Sequence, residues 1–488
     1  MLYNLDFLQK GQVFPPLSEV ERLKEYGDSR ELFKGNTETV LADYQRRIND
    51  IVSRLELSTV YKMDINYHRL LTVKTADLVC GEMPSISVDE AGKKDDLREL
   101  LSRTKFKQKL YEAVIDVSRL GDSLARIYYD ADQKKYDFVI IPPDMWFPVV
   151  DKEIIKRVKQ HVLCWISESP NSTLNNPKYL LNAQIHEKGR YVNRVFEIKK
   201  STQNQPIQIA SRISQDLQHA RTFNITTYEI GVELTDNPQW VSTGLNDFAI
   251  VPLQNLTLPE SIYGCNDYEP ITPLIAELET RCMLESIVLD KHTAPTMYGG
   301  ASSFRIDPIT GEVNFATGKG IMVQEGEIPP GYVTWDASLQ ANHECIQSLK
   351  DLLYSISEMG AVINDASFAA SQGYEALMTR LTSARMKARR VSDNLTDSVK
   401  KIISLVSKND IKETELTVVW NDGIPDTELQ NINVANQKLN LFSLKDILME
   451  HFSVSEQEAD EIIARKTEED AVKLASGFSL GMGGGING

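Results

Sequence analysis

Cysteine is scarce in this chain: five residues among 488, at Cys80, Cys164, Cys265, Cys282 and Cys345, an odd number, widely scattered and never in C-x-x-C spacing. That excludes a disulfide framework and a cysteine zinc site, and leaves buried thiols as the expectation. The seven histidines (His68, His161, His186, His219, His292, His343, His451) never form H-x-x-x-H or H-E-x-x-H, so core or surface roles are expected for them and no metal is. Long apolar runs are also missing. The best candidate, Asp137 to Val150, is interrupted by Pro142, Pro143, Asp144 and Pro148, which reads as strand and turn, so no membrane span is expected. The N-terminal MLYNLDFLQK lacks the basic start and apolar stretch of a signal peptide, which points to the cytosol as the place of synthesis. Cations are the last shortage: 53 Lys and Arg stand against 69 Asp and Glu, a net charge of −16. A general nucleic-acid binder draws affinity from cations and released counterions, so this balance argues against tight phosphate binding. It does not argue against DNA sliding past.

Catalytic signatures are thin. Gly483, Gly485 and Gly488 match G-x-G-x-x-G, but no strand precedes them and no helix follows. Gly318-Lys319-Gly320 has no glycine five places before Gly318 and no Ser or Thr after Lys319, so it is no Walker A loop. No G-x-S-x-G elbow occurs. Asn171, Asn255 and Asn394 fit the glycosylation pattern by chance if there is no secretory signal. Asp130 and Asp132 keep one enzymatic alternative open, a nucleic-acid-processing enzyme with a carboxylate metal site, although aspartates in a turn between strands are favoured simply as turn formers.

What is present is an ordinary folding composition, 42% hydrophobic and 25% charged, in a chain long enough for two or three domains. The first hundred and twenty residues read as helices. Leu41, Tyr44, Ile48, Ile51 and Leu55 recur at steps of three and four; a second helix from Tyr67 stops at Gly81 with Pro84 beyond; helical pattern returns from Asp96 to Leu120. Beyond Gly121 come β-rich runs at Arg126–Tyr129, Tyr136–Ile141, Tyr179–Ile185, Tyr191–Ile198, Thr227–Leu234 and Phe248–Val251, read as hairpins of an antiparallel sheet. Residues 199–224, rich in Gln, Ser and Asn, read as a loop or insertion. A helix from Tyr268 to about His292 is followed by short strands at Ser303–Ile306, Val313–Ala316, Ile321–Gln324 and Tyr332–Trp335, a small β module between helices. Helix returns at Leu339–Met359, and a small-residue stretch, Ala361–Gly373, precedes the most regular segment. There Leu377, Leu381, Ala384, Ala388, Val391, Leu395, Ser398, Ile402 and Val406 alternate steps of four and three, a rod of about 45 Å. A strand at Leu416–Trp420 and two helices with caps at Ser443 and Ser455 close the pattern.

Two features stand out. The long helix carries Arg380, Arg385, Lys387, Arg389 and Arg390, a basic face in an acidic chain: either a solvated face, or cations turned toward phosphates or acidic neighbours. The β module is either an ordinary insertion or a docking element.

Three stretches carry a resemblance to a known family. Ala76-Asp77-Leu78-Val79-Cys80-Gly81-Glu82-Met83-Pro84 ends a helix in Gly and nearby Pro, Ser371-Gln372-Gly373-Tyr374-Glu375-Ala376-Leu377 turns into a long helix, and Asp422, Pro425, Glu428, Ser443, Leu444, Leu448, Val454, Glu461 and Ile462 close the pattern. In that order they resemble the portal proteins of tailed double-stranded-DNA bacteriophages, of the siphophage type. The resemblance implies an α+β, mainly helical portal fold with antiparallel β elements in wing and clip. It divides the chain into a wing (1–261, with 409–435 returning to it), a stem helix (262–298), a clip (299–336), a second stem helix (337–360), a tunnel loop (361–373), a long helix behind it (374–408), a crown (436–475) and a flexible tail (476–488). It further implies a non-enzymatic ring homo-oligomer, usually a dodecamer, at one capsid vertex of the virion, built in the host cytoplasm, without cofactors or membrane. Double-stranded DNA would pass Asp365, Ser367, Phe368, Ser371 and Gln372 during packaging and ejection. The terminase large subunit and the head-tail connector would dock at Phe304, Arg305, Lys319, Glu325 and Trp335, with major capsid and scaffolding proteins as further partners. Another helical oligomeric scaffold is the remaining alternative.

Overall fold

The computed structural model describes residues 1–54, 65–88, 90–173, 177–200, 207–209, 221–223, 226–293, 297–300, 303–306, 308–309, 313–315, 325–332, 339–360, 374–421, 443–445, 447 and 459–468. Helix α1 (Val20–Lys34) stops where Gly35 takes a left-handed φ of 90° and returns its amide to Glu31 and Leu32. After the short α2 (Thr37–Val40), the stripe read around Tyr44 falls on α3 (Ala42–Arg54), where Tyr44, Ile48 and Ile51 bury against Ala276, Met283 and Ile287; Leu55 lies outside the described residues. Helix α4 (Tyr67–Cys80) starts at Asn66, whose side chain accepts the Arg69 amide at 3.1 Å.

The single helical run expected over Asp96–Leu120 is two helices, α5 (Lys94–Arg103) and α6 (Phe106–Leu120), broken at Lys105 with φ 51°. The elbow lets Leu97 and Leu100 on one helix and Phe106 and Leu110 on the other all reach the core. Periodicity alone does not reveal such a break, because the apolar spacing runs through it. Helix α6 ends at Gly121 (φ 88°), where an added Cβ would lie 2.3 Å from the Gly264 carbonyl oxygen, so the backbone crossing there requires glycine.

Strands follow in order: β1 (Val13–Phe14), β2 (Ser85–Val88), β3 (Asp122–Asp130), β4 (Lys135–Ile141), β5 (Trp146–Val150), β6 (Val158–Glu168), β7 (Tyr179–Glu187), β8 (Arg190–Lys200), β9 (Ile207–Ile209), β10 (Arg221–Phe223), β11 (Tyr228–Glu233), β12 (Val241–Ser242), β13 (Ile250–Gln254), β14 (Leu256–Thr257) and β15 (Gly264–Cys265). The hairpins read as one sheet belong to two: the main sheet runs β1-β11-β8-β7-β6-β5 with β12 beside β8, and a second runs β13-β3-β4, every pairing in both being antiparallel. Phe7, Phe14, Phe147, Leu181, Ile185 and Phe196 form the core of the main sheet. Within the stretch read as loop or insertion, β9 and β10 pair with each other.

Helix α7 (Thr272–Thr293) leads to β16 (Met297–Tyr298), β17 (Phe304–Ile306), β18 (Val313–Phe315) and β19 (Gly331–Tyr332), which pair as β17-β18 and β16-β19. Helix α8 (Leu339–Ser357), the 33-residue α9 (Tyr374–Val406) and β20 (Leu416–Val419), which pairs with β2, follow. On α9 the seam residues Leu381, Ala384, Ala388, Val391, Leu395, Ile402 and Val406 are buried and Ser398 half-buried, and the helix lies against β13, β4 and α4. The heptad stripe is therefore covered by the chain's own sheet and helix. Met1–Gly423 forms one unit and Ile424–Gly488 a second; in the second, 459–468 is helical and Lys445 pairs with Asp460 at 2.9 Å. Of the caps expected at Ser443 and Ser455, Ser455 lies outside the described residues. Helices with antiparallel sheets make this the α+β class expected.

Candidate functional site

The segment leading into α7, the end of α8 and the interior of α9 meet at one buried polar joint, and α8 ends shortly before the stretch 361–373. Asp267, five residues before α7 begins, is held by its own backbone: its amide donates to the Ser118 carbonyl at 2.9 Å. Its carboxylate accepts from Ser118 Oγ at 2.6 Å and Asn255 Nδ2 at 3.1 Å. The seam that buries Ala384, Ala388 and Val391 turns Lys387 inward as well, so its ammonium reaches Asp267 Oδ2 at 3.4 Å and donates to the carbonyl of Ser357, the last residue of α8, at 3.4 Å. Just beyond, Glu358 adopts φ 61° and accepts from Arg390 at 2.8 Å. Lower on α9, Asn394 donates to the Asn255 carbonyl at 3.1 Å, Ser398 to that of Pro252 at 2.8 Å, and Lys401 pairs with Asp247 at 2.7 Å. Burial pushes the Asp247 carboxyl up, but hydrogen bonds from Lys401 and the Phe248 amide outweigh it and hold the group below the usual carboxylate range.

A second buried cluster fixes α4 against the start of α7. His68 Nε2 lies 3.1 Å from Thr272 Oγ1, Thr72 Oγ1 lies 2.6 Å from the Tyr268 hydroxyl, and the His68 and Tyr268 rings meet edge-on at 4.9 Å. Burial lowers the His68 pKa to about 4, so the ring is neutral at physiological pH.

The residues of the basic face read from the sequence divide between the joint and the surface. Lys387 is 7% exposed and Arg390 is engaged by Glu358; Arg385 is half-buried and Arg389 exposed, and the side chain of Arg380 lies outside the described residues. The reason is tertiary: a long stem lets a lysine on the packed side of a helix find a carboxylate supplied from elsewhere. Asp267, Glu358 and Asp247, the anionic partners, were not singled out by sequence reasoning, and no spacing rule links them to α9.

Of the residues assigned to docking, Phe304 is half-buried in β17 opposite Phe315, Arg305 pairs in register with Asn314, and Glu325 is exposed beside Gly326, which has φ 92°. Lys319 and Trp335 lie outside the described residues, as do Asp365, Ser367, Phe368, Ser371 and Gln372. Asp130 caps its turn, Oδ1 accepting the amides of Asp132 at 2.9 Å and Gln133 at 3.2 Å, the turn-forming role weighed against a metal site. The cysteines are free, but only Cys80 and Cys164 are buried; Cys265, Cys282 and Cys345 are half-buried, which corrects the expectation of five buried thiols. Among the described residues no helix is long and apolar enough to cross a membrane.

The joint and the sheets together describe a helix-and-sheet scaffold. Residues 30–179, from within α1 to the first residue of β7, match the family described as phage portal protein, SPP1 Gp6-like, so the portal resemblance is shown over that region. Phage portal proteins are structural. No curated protein sequence matches the chain. Among solved structures, a chain from one titled "Virion of native gene transfer agent (GTA) particle" is similar at 9% identity and a TM-score of 0.42, over 91% of this chain and 96% of that one.

Proposed function

We propose that this chain forms a ring-shaped DNA conduit at one capsid vertex, serving genome packaging, retention and ejection, with terminase, the head-tail connector and capsid proteins as its partners. The family match over residues 30–179 carries the reading. In it, residues 1–261 with 409–435 make the wing, α7 and α8 belong to the stem, 299–336 to the clip, 361–373 to the tunnel loop and 436–475 to the crown. The polar joint supports this arrangement physically, because Lys387 and Arg390 fasten α9 to the end of α8, immediately before the stretch that would face DNA.

Electrostatics favours passage over grip. With a net charge of −16 per copy and a Debye length of about 8 Å at physiological salt, only charges lining the passage act on the duplex, and an acidic bias keeps phosphates from settling there. Ser367, Ser371 and Gln372 touch a backbone without the bidentate hold an arginine would provide. Particles of the purified full chain, viewed by electron microscopy and weighed in solution, are expected to be annular with a central hole, dodecameric when assembled. A chain that stays solitary at high concentration overturns the reading.

A further inference from the structure

The elbow between α5 and α6 faces the last turn of α4 across an open groove of about 910 Å³. Met83, Leu101 and Phe106 give it an apolar wall, and Arg98, Lys105 and Lys107, all exposed, stand among its lining residues. The Ala76–Pro84 stretch singled out in the sequence forms one side of this groove, and the Met83 carbonyl is held by Asn421 Nδ2 at 3.2 Å.

We propose that the groove is a docking site for an acidic amphipathic segment of a partner protein, with apolar side chains against Met83 and Leu101 and carboxylates beside the three cations. Charge complementarity carries the assignment. The two lining acids keep their charge, Asp77 accepting from the neutral Tyr111 hydroxyl at 2.9 Å and Glu112 from the neutral Gln108 Nε2 at 3.4 Å, so three cations stand against two anions in the lining. Lys105 and Lys107 form no ion pair among the described residues, and Arg98 has only an exposed Asp95 at 4.0 Å. The groove thus has a net positive lining beside an apolar wall in a protein whose net charge is −16. A small-molecule site is a poorer fit, because such sites place several convergent polar groups deep inside, whereas here the cations are exposed. Covalent chemistry is also disfavoured: burial pushes the Cys80 thiol up to about 12, and its Sγ contacts the Ala76 carbonyl oxygen at 3.4 Å. A helix laying its apolar stripe into a groove, with charged flanks matched to the rim, is an established recognition mode. The inference rests on groove and charge alone and stands whether or not the chain forms a ring.

The test uses the purified full chain and two fluorescein-labelled peptides of about four helical turns. Both carry Leu and Phe at i, i+3, i+4 and i+7; one has Glu and the other Lys at the remaining positions. Because the whole protein is acidic, a general electrostatic effect favours the basic peptide. Fluorescence anisotropy is expected to show the acidic peptide binding about tenfold tighter than the basic one, and losing about tenfold in the Arg98→Glu, Lys107→Glu variant. Both substituted side chains are exposed, so the variant keeps the fold, and Leu101→Gln gives a second readout by weakening the acidic peptide through the wall instead of the rim. Preference for the basic peptide, equal affinity for both, no saturable binding, or acidic-peptide affinity indifferent to the charge reversal each overturn the proposal.

Discussion

Lys387, in the interior of α9, has its ammonium 3.4 Å from the carboxylate of Asp267, 120 positions earlier in the chain. The pair is nearly sealed, with side-chain exposures of 9% and 12%, and Lys387 also donates to Ser357 at the end of α8. One side chain therefore ties α9 to α8 and to the segment that starts α7. Removing one member of a buried pair leaves the other charge without compensation, typically a loss of about 3–5 kcal/mol, while replacing both by apolar or neutral groups is far milder.

Lys387→Met is accordingly expected to lower stability by roughly 3 kcal/mol. Asp267→Asn alone should cost somewhat less, since Asn keeps one acceptor oxygen for Asn255 and its amide can donate to the Ser118 hydroxyl. The double variant Lys387→Met, Asp267→Asn should recover much of the loss. Thermal unfolding of the four proteins, arranged as a double-mutant cycle, measures the coupling; strictly additive effects would show that the pair does not act as a unit.

Three buried histidines set a second expectation. Burial lowers His161 and His186 to about 3 and His68 to about 4, below the ordinary value near 6.5. The folded chain keeps these rings neutral while the unfolded chain protonates them, so their contribution is fully present above about pH 6.5 and is lost as pH falls toward 3–4. At pH 5 the loss is on the order of 2 kcal/mol per histidine. His161 accepts from Trp146 Nε1 at 3.0 Å, and His161→Asn should flatten the dependence of the thermal midpoint on pH between 7.5 and 5 while lowering it at neutral pH. An unchanged slope would show that His161 is not among the groups responsible.

The parts of the fold legible in the sequence are those where one side of an element meets one continuous apolar surface. The seam from Leu381 to Val406 is such a case: steps of three and four identified the buried positions, because the whole helix lies against β13, β4 and α4. Strand β6 was not read, since His161 occupies a core position and the buried run His161–Cys164 breaks the alternation that marks a half-buried strand. Four-residue β2 exists through its pairing with β20, more than three hundred positions away. The joint was half legible. Lys387 was noticed as a cation, but its burial depends on Asp267 and Ser357, and a charge count along one helix contains neither. Asp130 and Asp132 were legible in full, because turn chemistry is local.

Arg22 gives a third prediction. Buried at 8% exposure, it donates from Nε to Glu19 at 2.9 Å, and from its terminal nitrogens to the carbonyls of Pro143 at 3.2 Å and Trp146 at 2.8 Å, with the Tyr263 ring 4.3 Å away. A lysine keeps the charge but lacks the planar fork that reaches three acceptors at once. Arg22→Lys should therefore destabilise by about 2–4 kcal/mol, because buried carbonyls lose charged donors. A thermal midpoint unchanged by the substitution would mean that the ammonium satisfies the same groups.

The last prediction tests the DNA-facing assignment without disturbing the joint. The groups that fasten α8 to α9, namely Ser357, Glu358, Lys387 and Arg390, all lie outside 361–373. Replacing those thirteen residues with a Gly-Ser linker of equal length leaves each of these contacts available. Assembly of the particle, read by electron microscopy, should then be unaffected, and the amount of DNA packaged or retained per capsid should fall. Loss of assembly would instead make the segment part of the contact between copies. Full DNA content with normal assembly would mean that Asp365, Phe368 and Gln372 have no part in handling the duplex, because a linker of glycine and serine offers neither the Asp365 carboxylate, the Phe368 ring nor the Gln372 amide.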